Sequence, residues 1–197
     1  MAVQEKIQAL YGKESPPILG VDAVNKEMIR HWCEAMEDDN PLYQDEEYAK
    51  KTKYKGIISP PMMVQAWSFG PLWPDGQEME WRHPELPWEK DKMPHRIGVK
   101  ILENSGFPAV IATNTTMEFF KPLRLGDKVT QKITVVDITP EKKTGQGAGH
   151  FYTFMFSYYN QKDELICHQS FTTLYYNPPK VEWFTSTFKF KPLEEKR

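Results

Sequence analysis

The sequence has 197 residues, of which 40% are hydrophobic and 26% charged, a composition typical of a globular protein with one domain and room for only a small second one. The formal net charge of −2 argues against a nucleic-acid binder, because contact with a phosphate backbone needs a basic surface. No apolar run approaches the roughly 20 residues that span a bilayer, and the start of the chain lacks a secretory signal. Cys33 and Cys167 form no disulfide framework, so we predict a cytoplasmic protein.

The first half of the chain combines predicted helices with proline-containing breaks. Residues 1–21 are predicted to be an N-terminal arm, because a pair of prolines near its end breaks any helix. Apolar residues recur at helical spacing over 24–36, which predicts an amphipathic helix capped by Asp22 or Asn25. A second, short helix is predicted over about 45–52.

Residues 62–69 are almost wholly apolar. A helix without a polar face is buried on all sides, so we expect other structure to enclose this segment. Residues 70–97 follow with a proline density that excludes a regular element, while Trp73, Trp81 and Trp88 exclude a simple flexible linker. We predict a long ordered loop that covers an apolar surface.

The second half of the chain is rich in β-branched and aromatic residues and predicts an antiparallel meander. A slip in the apolar alternation at Val136 predicts a bulge, and residues 142–149 are predicted to form a loop. The predicted strands cover 109–120, 129–139, 151–159 and 165–176. Helices followed by such a sheet predict an α+β domain in which a curved antiparallel sheet wraps around a central apolar helix. This domain covers residues 22–176, and 177–197 form a C-terminal tail.

Three segments of the chain resemble the MaoC-like (hot-dog) dehydratase family, specifically its N-terminal, fatty-acid-synthase-type half. They are MEDDNPLYQDEEYAKKTKYKGIISPPMM, FFKPLRLGDKV and FMFSYYNQKDELICHQSF. The resemblance implies the hot-dog fold and a reaction that adds water to an enoyl thioester or removes it from a 3-hydroxyacyl thioester. It also implies that coenzyme A enters as the thioester substrate and that no other cofactor is needed.

The active-site motif of the family resembles Asp-x-Asn-Pro-x-His, in which Asp and His hold the water. Asp38 occupies the acid position and Asn40-Pro41 matches, but Tyr43 takes the place of the histidine. A phenol with an ordinary pKa near 10 is a poor base at neutral pH, whereas an imidazole with a pKa near 6.5 is well suited. The motif is therefore degenerate at its base.

A second departure lies at the start of the apolar segment. Active members of the family tend to have His-Gly where this chain has Pro60-Pro61, and proline has no N–H to polarise the thioester carbonyl. We therefore expect this chain not to be catalytic by itself. The resemblance implies a second hot-dog subunit that carries an intact Asp-x-Asn-x-x-His motif, with the acyl-CoA site between the two.

Substrate-binding residues are predicted around the apolar segment and in the tryptophan-rich loop. An aromatic, methionine-rich wall suits a bulky acyl group such as a steroid side chain or a ring-containing moiety. Arg124, with its neighbours Lys121 and Lys128, is a candidate for the phosphates of coenzyme A. The simpler alternative is that Met62, Met63, Trp67 and Phe69 belong to the core. The full predicted set is Pro60, Pro61, Met62, Met63, Trp67, Trp73, Trp81 and Arg124.

Metal binding is not expected, because none of the five histidines lies four residues from another and no cysteine or carboxylate set completes a zinc site. His83 and His95 are the histidines that we consider as replacements for the missing base. Three hypotheses remain open. The chain is a subunit of a heteromeric hydratase, a self-sufficient homodimeric hydratase that uses Asp38 and Tyr43, or an acyl-CoA-binding scaffold without catalysis.

Overall fold

The computed structural model describes residues 2–70 and 93–179 of the chain. In these residues the helices are α1 (Val3–Gln8), α2 (Lys26–Met36), α3 (Pro41–Gln44), α4 (Glu46–Lys51), α5 (Val64–Trp67) and α6 (Pro94–Asn104). A 3-10 turn over Pro61–Met63 leads directly into α5. The strands are β1 (Ile18–Leu19), β2 (Ala109–Phe119), β3 (Thr130–Ile138), β4 (Lys142–Thr144), β5 (Gly147–Tyr159) and β6 (Leu165–Asn177). None of the helices in the described ranges is long and apolar enough to cross a bilayer.

The strands form one antiparallel sheet in the order β1-β3-β5-β6-β2, with β4 paired to β5. The meander of β3, β5 and β6 agrees with the sequence prediction. The predicted bulge is also confirmed, because the register between β3 and β5 shifts between Val135 and Asp137. Aromatic side chains recur at alternate positions of β5, where Tyr152, Phe154 and Tyr158 are buried and Phe156 is half-buried.

The prediction of a loop over 142–149 is wrong, because the structure contains a β4–β5 hairpin there. The Thr144 hydroxyl donates to the carbonyl of Gly147 at 2.7 Å and accepts from the N–H of Gln146 at 3.2 Å, which closes a tight turn. Gly147 has a φ of 131°, and a Cβ there would lie 2.1 Å from the Asn177 carbonyl oxygen. The charged residues and glycines of this segment suggested an open loop. The structure shows instead that Gly147 is needed to form the tight turn of the hairpin.

The N-terminal arm is more structured than the sequence suggested. It contains α1 and β1; Ile7 is fully buried in the core, and Ile18 of β1 pairs with Gln131 of β3. The Tyr11 hydroxyl accepts from the N–H of Ile138 at 2.7 Å and donates to the Asp137 carboxylate at 2.9 Å. The two prolines follow α1 and do not interrupt it. The arm is thus packed against the sheet.

Helix α2 begins and ends at side-chain and backbone caps. Of the two predicted N-cap candidates, Asn25 is the one that caps the helix, because its side-chain oxygen accepts from the N–H of Met28 at 2.8 Å. At the other end Glu37 adopts a left-handed conformation with φ of 53°, and the N–H of Asp38 donates to the carbonyl of Cys33 at 2.9 Å. This closure ends the helix at Met36, two residues before Asp38.

The apolar segment predicted to be enclosed on all sides is only partly so. Val64 and Trp67 are each 1% exposed, but Met62 and Phe69 are each 59% exposed. The segment is a 3-10 turn and a single turn of α-helix, which is too short to bury every side against one sheet. The assignment to the core is therefore wrong for Met62 and Phe69, whereas it is confirmed for Met63 and Trp67.

Candidate functional site

The motif segment follows α2 and is held by its own side chains. The Asp38 carboxylate accepts from the N–H of Asn40 at 3.1 Å, and the Asn40 side-chain oxygen accepts from the N–H of Leu42 at 3.1 Å. Asn40 is thus the N-cap of α3, and Pro41 takes the first helical position, where its missing N–H costs no hydrogen bond. These side chains fix the turn between α2 and α3.

Tyr43 lies on α3 and packs against the core cluster around Cys33 and Trp67. Burial raises the pKa of its phenol above the ordinary value, and the nearby carboxylate of Asp38 raises that pKa further. The phenol is therefore protonated at neutral pH. It is able to donate a hydrogen bond but does not accept a proton as imidazole does.

The start of the apolar segment is organised around its two prolines. Pro60 precedes the 3-10 turn and Pro61 begins it, and the N–H of Met63 donates to the carbonyl of Pro60 at 3.0 Å. The indole N–H of Trp67 donates to the hydroxyl of Ser59 at 2.8 Å, in the buried interior. Two successive positions at this start have no N–H.

A cleft of about 260 Å³ opens beside these prolines, and we call it the proline cleft. Buried apolar side chains line its interior, and Phe119 and Phe120, at the end of β2, contribute exposed aromatic surface. Two lysines, Lys53 and Lys121, also line the cleft. The buried apolar side chains are those of Ile58, Val64, Leu123 and Ile166.

Tyr43 lies in a separate cleft of about 230 Å³, the tyrosine cleft, whose lining also includes Lys26, Arg30 and Ile57. Ile57 lines this cleft and the next residue, Ile58, lines the proline cleft. The structure therefore does not bring the Tyr43 side chain and the two prolines to one common surface within this chain.

The predicted cation Arg124 stands at the edge of the proline cleft. Its guanidinium donates to the carbonyl of Tyr54, a cleft residue, at 2.6 Å. Lys121 forms an exposed ion pair with Glu164. The ammonium of Lys53 lies 5.0 Å from the centroid of the Tyr54 ring, a cation–π contact.

The other predicted site residues lie away from the two clefts. Met63 and Trp67 are buried in the core, and Met62 is exposed without lining either cleft. Trp73 and Trp81 fall outside the described residues, as does most of the loop predicted over 70–97. The prediction is wrong at the end of that range, because helix α6 already begins at Pro94, where a proline at the first helical position is favourable. Within 2–70 and 93–179, no group of three His, Cys, Asp or Glu side chains is placed to hold a metal ion.

Sequence reasoning missed most residues of the proline cleft, among them Lys53, Phe119 and Phe120. Lys53 belongs to a lysine-rich run after α4 that has no distinguishing pattern. The two phenylalanines precede the FKPLRLGD stretch that carries the family resemblance. Their position at the end of an edge strand was the available signal.

Short helices packed against a curved antiparallel sheet define the class of hot-dog dehydratase-like domains. Residues 10–169 match the family model of the FAS1-like dehydratase domain region. The chain belongs to this family, and both the resemblance and the fold class predicted from the sequence are confirmed.

Two relatives of known description are similar in sequence. The chain is 34% identical over 180 residues to a probable enoyl-CoA hydratase alpha subunit of Thermomonospora curvata, covering 91% of this chain and 53% of the relative. It is 31% identical over 137 residues to the 3-oxo-4,17-pregnadiene-20-carboxyl-CoA hydratase alpha subunit of Mycobacterium tuberculosis, covering 70% of this chain and 40% of that relative. The chain thus spans about half the length of the curated relatives it matches.

Solved structures agree with the fold. A chain of the ChsH1-ChsH2 complex from Mycobacterium tuberculosis superposes with a TM-score of 0.75 at 26% identity, covering 91% of this chain and 94% of that one. The MaoC-like dehydratase from Rhodospirillum rubrum superposes with a TM-score of 0.53 at 19% identity, covering 86% of this chain and 94% of that chain. The second likeness concerns the fold alone.

Proposed function

We propose that this chain is a subunit of a heteromeric enoyl-CoA hydratase (3-hydroxyacyl-CoA dehydratase). It forms part of the acyl-CoA pocket, while a partner hot-dog subunit with an intact Asp-x-Asn-x-x-His motif carries the catalytic pair. The observation that carries the proposal is Tyr43, a phenol with a raised pKa at the histidine position of a family motif. The names of the two relatives, both hydratase alpha subunits, support it.

The chemistry of hydration explains why a partner is needed. A base must take a proton from water, an acid must deliver one to the α-carbon, and a donor must stabilise the negative charge that develops on the thioester oxygen. In this chain the Asp38 carboxylate is hydrogen-bonded to the backbone of Asn40. The phenol of Tyr43 stays protonated, and the two prolines offer no N–H. The intact motif of a partner supplies the imidazole base, and the start of the partner's enclosed helix supplies the N–H donor.

The edge of the sheet supports the presence of a partner. Strand β2 is 11 residues long and, among the described residues, pairs on one side only, with β6. The N–H of Phe120 donates to the carbonyl of Ile166 at 2.9 Å, which fixes the phase of this pairing. By alternation, the backbone N–H and C=O of Thr115 and Met117 point away from β6. A long edge strand without proline or lysine is a template for a strand of another chain.

For the substrate we propose a bulky apolar acyl-CoA, such as one with a steroid side chain or a ring-containing acyl group. The relative from Mycobacterium tuberculosis supports this assignment, because its name specifies a steroid-type acyl-CoA, 3-oxo-4,17-pregnadiene-20-carboxyl-CoA. Coenzyme A enters as part of the thioester and no other cofactor takes part. We further propose that the complex acts in the cytoplasm.

The proposal is tested by co-expressing the chain with a hot-dog protein that carries the intact motif and following the loss of enoyl absorbance. We expect no turnover by the chain alone and turnover by the complex. Replacing the partner's motif histidine abolishes it, whereas Tyr43→Phe in this chain leaves it unchanged. Robust turnover by the purified single chain would contradict the proposal, and sensitivity of that turnover to Tyr43→Phe would favour the homodimeric enzyme. Equal binding of saturated and unsaturated thioesters without turnover in any combination would favour a binding module.

The edge itself is tested by Met117→Pro, which removes an N–H that faces away from β6 and keeps the pairing with β6 intact. We expect the variant to fold and to lose the partner in gel filtration. Met117→Val, which keeps the N–H, is the matched control and retains the complex. Retention of the partner by Met117→Pro would place the interface elsewhere.

A further inference from the structure

The proline cleft combines two chemistries in a small space. Its floor is formed by buried aliphatic side chains, and its lining also includes the lysines Lys53 and Lys121. A volume of about 260 Å³ is below the roughly 300–1,000 Å³ typical of a pocket that encloses a drug-sized ligand. The cleft therefore suits one slender part of a larger molecule, apolar along its length and anionic at one end.

Two of the cations at this cleft already have partners. Lys121 is paired with the Glu164 carboxylate, a contact that a ligand phosphate would have to replace. The Arg124 guanidinium donates to the carbonyl of Tyr54, and its backbone N–H donates to the Asp127 carboxylate at 2.7 Å. A phosphate at Lys121 would compete with the Glu164 carboxylate, and Arg124 is not among the residues that line the cleft.

Lys53 differs from both. Its ammonium rests 5.0 Å from the centroid of the Tyr54 ring, and no ion pair of the described part of the chain includes it. The ring positions the ammonium without neutralising it, because a cation–π contact leaves the charge in place. An ammonium on a flexible stem is a compact point charge, which is the form in which lysine binds phosphate.

We infer that the proline cleft binds the phosphopantetheine arm of the acyl thioester and that Lys53 contacts its phosphate. The arm has a slender, partly apolar stem that fits the aliphatic floor, and its phosphate meets the unneutralised ammonium. This inference rests on the proposed function, because it names the part of the thioester that this subunit holds. The phosphopantetheine group is common to coenzyme A and to acyl carrier protein, so the cleft recognises chemistry that both carriers share.

The test measures dissociation constants by isothermal titration calorimetry, with the full chain alone and in complex with its partner. The ligands are butanoyl-CoA, butanoyl-4′-phosphopantetheine, butanoyl-loaded acyl carrier protein and butanoyl-N-acetylcysteamine, the last of which lacks phosphate. The variants are Lys53→Gln, Lys53→Arg and, as a matched control on the exposed strand β4, Lys143→Gln.

We expect Lys53→Gln to weaken binding of the phosphate-bearing ligands about tenfold, the loss of one charge-assisted hydrogen bond at an exposed rim. Binding of the N-acetylcysteamine thioester stays unchanged, Lys53→Arg retains most of the affinity, and Lys143→Gln has no effect. The wild-type affinities for the coenzyme A and carrier-protein forms identify the carrier that this chain uses.

Several results would overturn the inference. They are an unchanged affinity in Lys53→Gln, an equal loss for the phosphate-free thioester, a loss confined to the coenzyme A form, or no binding of any ligand by the wild-type chain or its complex. The hydration assay separates these from failure of the proposed function. A complex that hydrates enoyl-CoA with no effect of Lys53→Gln on binding would reject the cleft assignment and keep the hydratase.

Discussion

Acid should destabilise this protein through one histidine in α6. Within the described residues, the Nδ1 atom of His95 is buried without a hydrogen-bond partner, and its ring centroid lies 6.1 Å from that of Phe154. Burial, with a smaller contribution from the charge of Arg96, lowers the pKa of His95 from 6.5 to about 4. Between these two values the unfolded chain binds a proton that the folded chain does not, so stability falls as the pH falls. Above pH 6.5 the full contribution is present, and by about pH 4 it is lost.

The size of the effect follows from the shift in pKa. Each unit corresponds to about 1.4 kcal/mol, so a fall from 6.5 to about 4 gives about 3 kcal/mol of unfolding free energy. Urea unfolding at pH 7.5, 5.5 and 4 measures it in the wild type and in His95→Gln, which cannot take up the proton. The difference between the two proteins should change by about this amount over that range. His31→Gln, at a surface position of α2, is the matched control. If His95→Gln loses as much stability in acid as the wild type, the reasoning is refuted.

Three further predictions concern stability and are measured by urea unfolding. Gly20→Ala should lower the unfolding free energy by about 3 kcal/mol, because a Cβ there would lie 1.9 Å from the carbonyl oxygen of Trp67; a loss under 1 kcal/mol would mean that this backbone moves easily. Tyr158→Phe should cost about 2 kcal/mol, since it leaves the buried Gln169 oxygen, now 2.6 Å from the hydroxyl, without its donor; an unchanged stability would contradict this. Glu37→Gly should raise stability by about 0.5–1 kcal/mol because φ is 53° there, and destabilisation would argue against strain at this cap.

The sheet was predictable because its signal is local. Alternating aromatic residues in β5 and β-branched residues in β2 each mark a strand within a few positions, and the slip near Val136 appears in the structure as a shifted register. The helix over α2 was equally clear, and its cap, Asn25, was one of two candidates. These features depend on residues that lie close together in the sequence.

The errors lie where distant parts of the chain decide the outcome. The apolar segment has no polar face, so its sequence alone could not indicate that Met62 and Phe69 are exposed. The packing of Ile7 against the sheet depends on a strand more than a hundred residues away, and a short arm carries no sign of that contact. Likewise, the hairpin at Gly147 requires its close approach to the end of β6.

The candidate site divides in the same way. Sequence comparison with a family motif is enough to identify Asp38, Asn40 and Tyr43, since they belong to one short segment. The proline cleft was not predictable, because Lys53 and Phe119, far apart in the sequence, line one cleft only in the folded chain. Arg124 was a candidate for its charge, but its hydrogen bond to the carbonyl of Tyr54, 70 residues earlier, also depends on tertiary structure.

The pattern of matches within the motif has a physical explanation. Asp38 and Asn40, which match the family, each accept a hydrogen bond from a backbone N–H and so hold the turn between α2 and α3. Tyr43, at the histidine position, has a different role, because its side chain packs against the core cluster. If a partner supplies the catalytic pair, as proposed, this chain needs the turn and the core but not the imidazole. Folding alone then explains why Asp38 and Asn40 match the family, so the match is not evidence of catalysis by this chain.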